Sequence, residues 1–274
     1  MLMRIMRYVV AILAVISVIA FLVVYIVTSL TADKTIPTIT VPDGVFEITV
    51  DATDGDLLRD ITAFDEKDGD LSNSVLVESI SRFSETGYCK VTYAVSDMDN
   101  HVATATRQIH YMDYTPPKFT MKKPLVFSID KSVDVVGIVG AKDCLDGDIS
   151  QNVIIYSPDF KDGEVGNYSL QATVKNSKGD ISDITLPMSV IRTAKSSPEI
   201  VLSEYLIYVD IGTEEPKWTD YIEETYDSRG EKADLSFDVK TDFDKDKPGM
   251  YAVNFYGKDS FGVTGYTALI VVVE

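Results

Sequence analysis

Apolar and polar residues alternate in several stretches of this chain with the two-residue period of half-buried strands, and one long stretch departs from that period altogether. The exception is Val9 to Thr28, "VVAILAVISVIAFLVVYIVT", twenty residues without a charge, a glycine or a proline. A helix of about 20 residues rises about 30 Å, the thickness of a bilayer's hydrocarbon core. The alternation is clearest in "GYCKVTYAVSD", "GNYSLQATVKN" and "GMYAVNFYGKD". One face of these strands carries Cys89, Val91, Tyr93 and Val95, then Tyr168, Leu170, Ala172 and Val174, then Tyr251, Val253, Phe255 and Gly257. A short turn and a second alternating strand, such as "VATATRQIHY", follow and predict a hairpin. Helical spacing outside the apolar run is confined to "EEPKWTDYIEETY", where Trp218, Tyr221, Ile222 and Tyr226 predict a short helical face.

These patterns recur. Prolines open each unit at Pro37, Pro117 and Pro198, spaced 80 and 81 apart. A strand ending in aspartate follows, at Asp51, Asp130 and Asp210, and the late strand begins at Gly87, Gly166 and Gly249. Three features in constant order and spacing mark internal repetition. Short strands at regular intervals in a unit of about 80 residues predict an antiparallel β-sandwich. The expected organisation is a short N-terminus (1–8), a transmembrane helix (9–28), a linker (29–34) and three tandem modules at 35–113, 114–194 and 195–274. The join "MDYTPPKF" is stiffened by two prolines, whereas "RTAKSSPEI" is polar and predicts a more flexible connection.

The motifs resemble a known family. A unit with "FDEKDGDLSNSV" early, "GYCKVTYAVSDMDNHVATATRQI" late and "DYTPP" at the join is similar to the bacterial surface protein immunoglobulin-like domain. The first unit carries the pattern best. The second has "NSKG" at its late turn, and the third keeps only the glycine–tyrosine strand and "KDSFG". The resemblance implies an all-β, immunoglobulin-like, extracellular and non-catalytic fold, and names no ligand.

Charge narrows the functional classes. The formal net charge is −18, with Arg4 and Arg7 the two charged residues before Asp33. So acidic a chain repels phosphate backbones, which argues against nucleic acid as a partner. Arg4 and Arg7 place the N-terminus in the cytoplasm and the modules outside by the positive-inside rule. A cleaved signal has an apolar region of roughly 7 to 15 residues and a small-x-small cleavage site. This run is longer, and "SLTA" ending at Ala32 has Leu30 where a small residue is preferred, so an uncleaved anchor is expected. Cys89 and Cys144, the two cysteines, fall in different units and predict no bridge.

The candidate chemistry lies in "DEKDGDLS", Asp65 to Ser72, and its echo "DCLDGDIS", Asp143 to Ser150. Aligned as an EF-hand loop, the two stretches put Phe64 and Val75, and Lys142 and Val153, where carboxylates are required, so neither is one. A turn accounts for the glycine and one aspartate. Calcium would account for three carboxylates recurring at fixed spacing, with Asp113, Asp143, Asp146 and Asp148 as the ligand set at the first junction. No other cofactor is expected. His101 and His110 lack zinc spacing, and no nucleophile elbow or phosphate loop appears. Trp218 fits either a core position or a contact to a ligand. The functional expectation is membrane-anchored display for adhesion or envelope interaction, with a surface protein or cell-wall polysaccharide as partner. The alternative is an accessory or sensor ectodomain of a membrane complex.

Overall fold

The computed structural model describes residues 2–31, 34–130, 132–192 and 196–274. The N-terminal helix runs Leu2–Thr31, and its apolar stretch, Met6–Val27, is long enough to cross a membrane by length and composition. Arg4, Ala32 and Thr193 to Lys195, which bear on the expected orientation, cleavage and flexible join, lie outside the residues or side chains described.

The rest is all-β, built as six sheets that come in three sequence-contiguous pairs. The first pair sets Thr38–Thr40, Thr62–Asp65 and Gly69–Asp70 in a small sheet. Its larger sheet is ordered Phe46–Ile48, Val102–Tyr111, Tyr88–Ser96 and Leu76–Ile80. The opening strand therefore divides between sheets, crossing at the Pro42-Asp43-Gly44 turn, where Gly44 takes φ of 95°. Its second half pairs parallel with the last strand, Phe46 opposite Ile109, while every other pairing in the unit is antiparallel. The same plan returns in the second pair, with Val126–Ser128 parallel to Ile181–Ile191, and in the third, with Leu206–Val209 parallel to Thr264–Val273.

The alternating faces read from the sequence form the cores. Cys89, Val91, Tyr93 and Val95 are all buried, as are Leu170, Ala172 and Val174, and Val253 and Phe255. Tyr93 has no exposed surface, and its hydroxyl donates to the Leu57 carbonyl at 2.8 Å. That carbonyl is presented by a one-turn helix, Asp54–Leu57, whose start is closed by a capping box between Thr53 and Asp56. An aromatic ring is thus buried at full value, about 2–3 kcal/mol, without stranding its hydroxyl.

By compactness the chain forms two units: residues 1–81 with 88–111, and residues 82–87 with 112–274. The expected boundary at 194/195 separates two sheet pairs that share one hydrophobic cluster, running from Phe119, Leu170 and Met188 to Leu206, Phe255 and Leu269. Polar contacts tie them as well. The Phe119 N–H donates to the Tyr208 hydroxyl at 3.1 Å, and the Lys118 ammonium lies 5.0 Å from the Tyr208 ring centroid and pairs with Glu274.

The expected helical face at Trp218 is corrected. A single 3-10 turn, Trp218–Tyr221, gives way at once to a strand, Ile222–Tyr226, paired with Glu199–Leu202. Isoleucine, threonine and tyrosine favour that pleated partner.

Candidate functional site

The repeated DGD stretch closes one end of the first two sheet pairs, and each of its aspartates accepts hydrogen bonds from its own module. In the first copy Asp65 is buried and its Oδ1 accepts the backbone N–H groups of Lys67 at 2.8 Å and Asp68 at 3.0 Å. In the second, Asp143 is buried and its Oδ1 accepts from Leu145 at 2.9 Å and Asp146 at 3.0 Å. This is an aspartate folding the backbone around itself. Gly69 and Gly147 then take φ of 79° and 71°, the left-handed region that lets the strand double back. The aspartate after each glycine caps the next turn. Asp70 Oδ1 accepts from the Ser72 backbone at 2.9 Å and hydroxyl at 2.6 Å, and Asp148 Oδ1 does the same for Ser150 at 3.0 and 2.5 Å. These serine bonds, side chain first, hold both carboxyls below the usual carboxylate range.

The middle aspartate reaches across the sheet pair to the late hairpin. Asp68 Oδ2 accepts the Met98 N–H at 2.8 Å, and Asp146 accepts the Ser177 N–H at 2.6 Å and hydroxyl at 2.7 Å. In the third module the bond runs the other way, because Asp259 of the hairpin accepts the Ser228 N–H at 3.0 Å. The early loop and late turn do lie at one end, as the sandwich reading expects.

Sequence reasoning missed the hairpin residue that anchors this staple: Asp97, Asn176 and Asp259, each closing a late strand. Asp97 Oδ1 accepts from Asp99 at 2.9 Å and His101 at 2.7 Å, and its Oδ2 lies 2.7 Å from His101 Nδ1. Asp259 Oδ1 accepts from Phe261 and Val263, both at 2.9 Å. Burial raises both carboxyls, yet the hydrogen bonds, from His101 to Asp97 and from Ser228 to Asp259, outweigh it and leave each below the ordinary range. In the second module Asn176 stands there instead, donating through Nδ2 to Asp143 Oδ2 at 3.1 Å and to the Tyr114 hydroxyl at 2.9 Å. The legible signal was the polar residue repeating at the end of "AVSD", "TVKN" and "YGKD".

For the calcium set, Asp143, Asp146 and Asp148 are thus engaged with their own loop and hairpin, and Asp113 is exposed at the join. Beside it, Tyr114 donates to Asp180 Oδ2 at 2.7 Å, and burial, then the Asp180 bond, pushes the Tyr114 hydroxyl far up its scale. Among the described residues no three His, Cys, Asp or Glu side chains are grouped to hold a metal. Cys89 is buried, exposed Cys144 turns its Sγ toward the Thr115 carbonyl at 3.2 Å, and neither is in a disulfide. Trp218, expected in the core or at a ligand, packs inward in the third module. The side chain is buried, its indole N–H donates to Glu215 at 2.6 Å, and it meets the edge of Phe243 at 5.2 Å between centroids.

No known family model matches the chain, and no curated protein matches it. Solved structures do. A Drosophila N-cadherin EC1-3 structure is 12% identical, covering 89% of this chain and 90% of that one, with a TM-score of 0.31. A Clostridium perfringens ZmpB structure, titled as its M60 catalytic domain with CBM51 domains, is 16% identical over 88% of this chain, with a TM-score of 0.23. The extracellular domain of protocadherin GammaB4 is 10% identical over 88% of this chain, with a TM-score of 0.21. This chain spans 31% of the Clostridium chain and 50% of the protocadherin.

Proposed function

We propose that the chain is a single-pass membrane protein that displays non-catalytic β-modules at the cell surface for adhesion or envelope interaction. One observation carries the reading. The large apolar side chains from Met6 to Val27 are 48% to 71% exposed, and none of the stretch is buried by the rest of the chain. A contiguous apolar surface of that length needs a non-aqueous partner, and a bilayer supplies one of matching thickness. The modules support the reading from the other side. Their carboxylates are arranged to rigidify loop ends, which suits a spacer or binding platform and not proton transfer. Arg4 and Arg7, on the short side of the helix, orient the modules outward.

The test is fractionation of cells expressing the full chain. The expected result is retention of the intact, uncleaved chain in the membrane after alkaline carbonate, with the modules digested by protease added outside. A chain released to the supernatant, or one beginning near residue 33, overturns the anchor.

A further inference from the structure

The last strand, "TGYTALIVVV", does not alternate as its counterparts do, and an unbroken apolar run implies that both of its faces are covered. The inward face holds Thr267, Leu269, Val271 and Val273 in the core. The opposite face carries Tyr266, Ala268 and Ile270. There Ile270 is buried, whereas Tyr266 stands at the edge of a cleft of about 590 Å³ within the second unit. That volume falls within the roughly 300–1,000 Å³ of small-molecule sites.

Three observations describe what the cleft would hold. First, no lining residue is charged, in a chain of net charge −18. The Lys240 ammonium lies 5.3 Å from the Tyr256 ring centroid. Second, Tyr256 and Tyr266 are direct cross-strand partners with centroids 5.1 Å apart, and the equivalent pairs are Thr173–Asp183 in the second module and Ala94–Thr104 in the first. The aromatic pair belongs to the third module's sheet, which lines the cleft together with the sheet of the second module. Third, two carboxamides are fixed by neighbouring hydroxyls. Asn254 Oδ1 accepts from Tyr266 at 2.7 Å, and Asn167 Oδ1 accepts from Ser189 at 2.9 Å. Asn254 Nδ2 gives one hydrogen to the Lys240 carbonyl at 3.4 Å, and the amide hydrogens of Asn167 have no partner among the described residues.

We propose that this cleft is a binding site for a neutral saccharide. A pyranose presents C–H groups on its faces, which pack on aromatic rings, and hydroxyls at its rim, which pair with groups that both donate and accept. Tyrosine, asparagine and serine around an apolar floor of Met121, Leu125 and Ile270 supply that combination. A polyanion is repelled by the chain's charge, and a purely apolar ligand would strand the carboxamides. The inference rests on the display reading and gives it a ligand class.

The test titrates the full chain in lipid nanodiscs with neutral linear tetrasaccharides of glucose, mannose and N-acetylglucosamine, and with a heparin tetrasaccharide, read by calorimetry. At least one neutral sugar should bind. Tyr256→Ala should weaken it roughly three- to tenfold, the range of one lost aromatic contact. Asn167→Ala, at an exposed position with no core role, should also weaken it, and Tyr256→Phe should keep most of the affinity. Three results overturn the proposal: no neutral sugar binds, heparin binds in preference, or affinity is unchanged in both Tyr256→Ala and Asn167→Ala. A chain that binds sugar yet fractionates as soluble sinks membrane display and leaves the cleft standing.

Discussion

Asp146 holds Ser177 with both carboxylate oxygens, one on the backbone N–H at 2.6 Å and one on the hydroxyl at 2.7 Å. Thirty-one residues separate the two, so a surface pair closes a long loop and fixes the end of the module. The first module makes the same closure with Asp68 and Met98, and the third makes it in reverse with Ser228 and Asp259. The contact is common to all three while its donor side is not, which points to the closure itself as the required feature.

Removing the closure should therefore destabilise its own unit. Asp146→Ala loses two charge-assisted bonds at an exposed position, and a cost of about 1 kcal/mol is expected after allowing for solvent. Urea unfolding of the full chain should show the second unit melting earlier and the first unchanged. An unaltered midpoint would show that the staple is incidental.

Acid should act through the same loops. Asp97, Asp227 and Asp259 are buried, which raises a carboxyl, but backbone bonds from His101, from Glu231 and Arg229, and from Ser228 outweigh that and leave all three depressed. A carboxyl with a lowered folded pKa contributes stability that is present above its unfolded value, near ~4, and lost as pH falls through the folded one. The denaturation midpoint should be flat from about pH 7 to about pH 5 and fall below about pH 4. Stability that holds or rises down to about pH 2.5 contradicts this assignment.

The second module offers a sharper case, since Asn176 replaces the hairpin carboxylate and donates to Asp143 at 3.1 Å. Asn176→Asp keeps the acceptor for the Asp180 N–H, a 2.9 Å bond, but sets a second carboxylate against Asp143 among buried groups. A loss of about 3 kcal/mol is expected at pH 7, narrowing below about pH 5 as the pair comes to share a proton. A deficit independent of pH would mean that steric misfit, not charge, is responsible.

The alternating faces were legible because a period of two has one reading once a sheet buries one side, and Val91, Tyr93, Leu170 and Phe255 went inward accordingly. The placement of the DGD loop beside the late turn was legible for the same reason of repetition. What stayed hidden was chemistry between distant positions. Nothing local in "DCLDGDIS" says that Asp146 will be spent on Ser177, and nothing in "EEPKWTDY" says that Phe243 will meet Trp218. The shared cluster of the second and third modules was hidden too, although the broken alternation of "TGYTALIVVV" announced a strand covered on both faces.

Calcium provides the direct check on the loop carboxylates. Asp143, Asp146 and Asp148 each accept hydrogen bonds from their own module at 3.1 Å or less, so a cation would have to share those carboxylates with the loop and hairpin. Thermal unfolding of the full chain should be the same in chelator and in millimolar calcium. A ligand of the native state alone stabilises in proportion to the logarithm of its occupancy, about 2.7 kcal/mol at a hundredfold excess over its dissociation constant. A clear rise in melting temperature, abolished by Asp113→Asn, would restore the ligand set Asp113, Asp143, Asp146 and Asp148.

Trp218 distinguishes a core from a contact surface. Its indole is buried, bonded to Glu215 at 2.6 Å, edge-on to Phe243 at 5.2 Å and stacked with Tyr221 at 6.4 Å. Trp218→Ala should cost about 3–5 kcal/mol, the range for emptying a large aromatic site. Trp218→Phe keeps ring packing but loses indole volume and the bond to exposed Glu215, whose carboxylate water then solvates, so a smaller loss is expected. Because Phe243 in turn meets the edge of Tyr251 at 5.6 Å, the alanine variant should also loosen the start of the late strand, seen as faster amide exchange from Met250 to Val253. Full stability with loss of partner binding would return Trp218 to the surface role and count against the packing described for the third module.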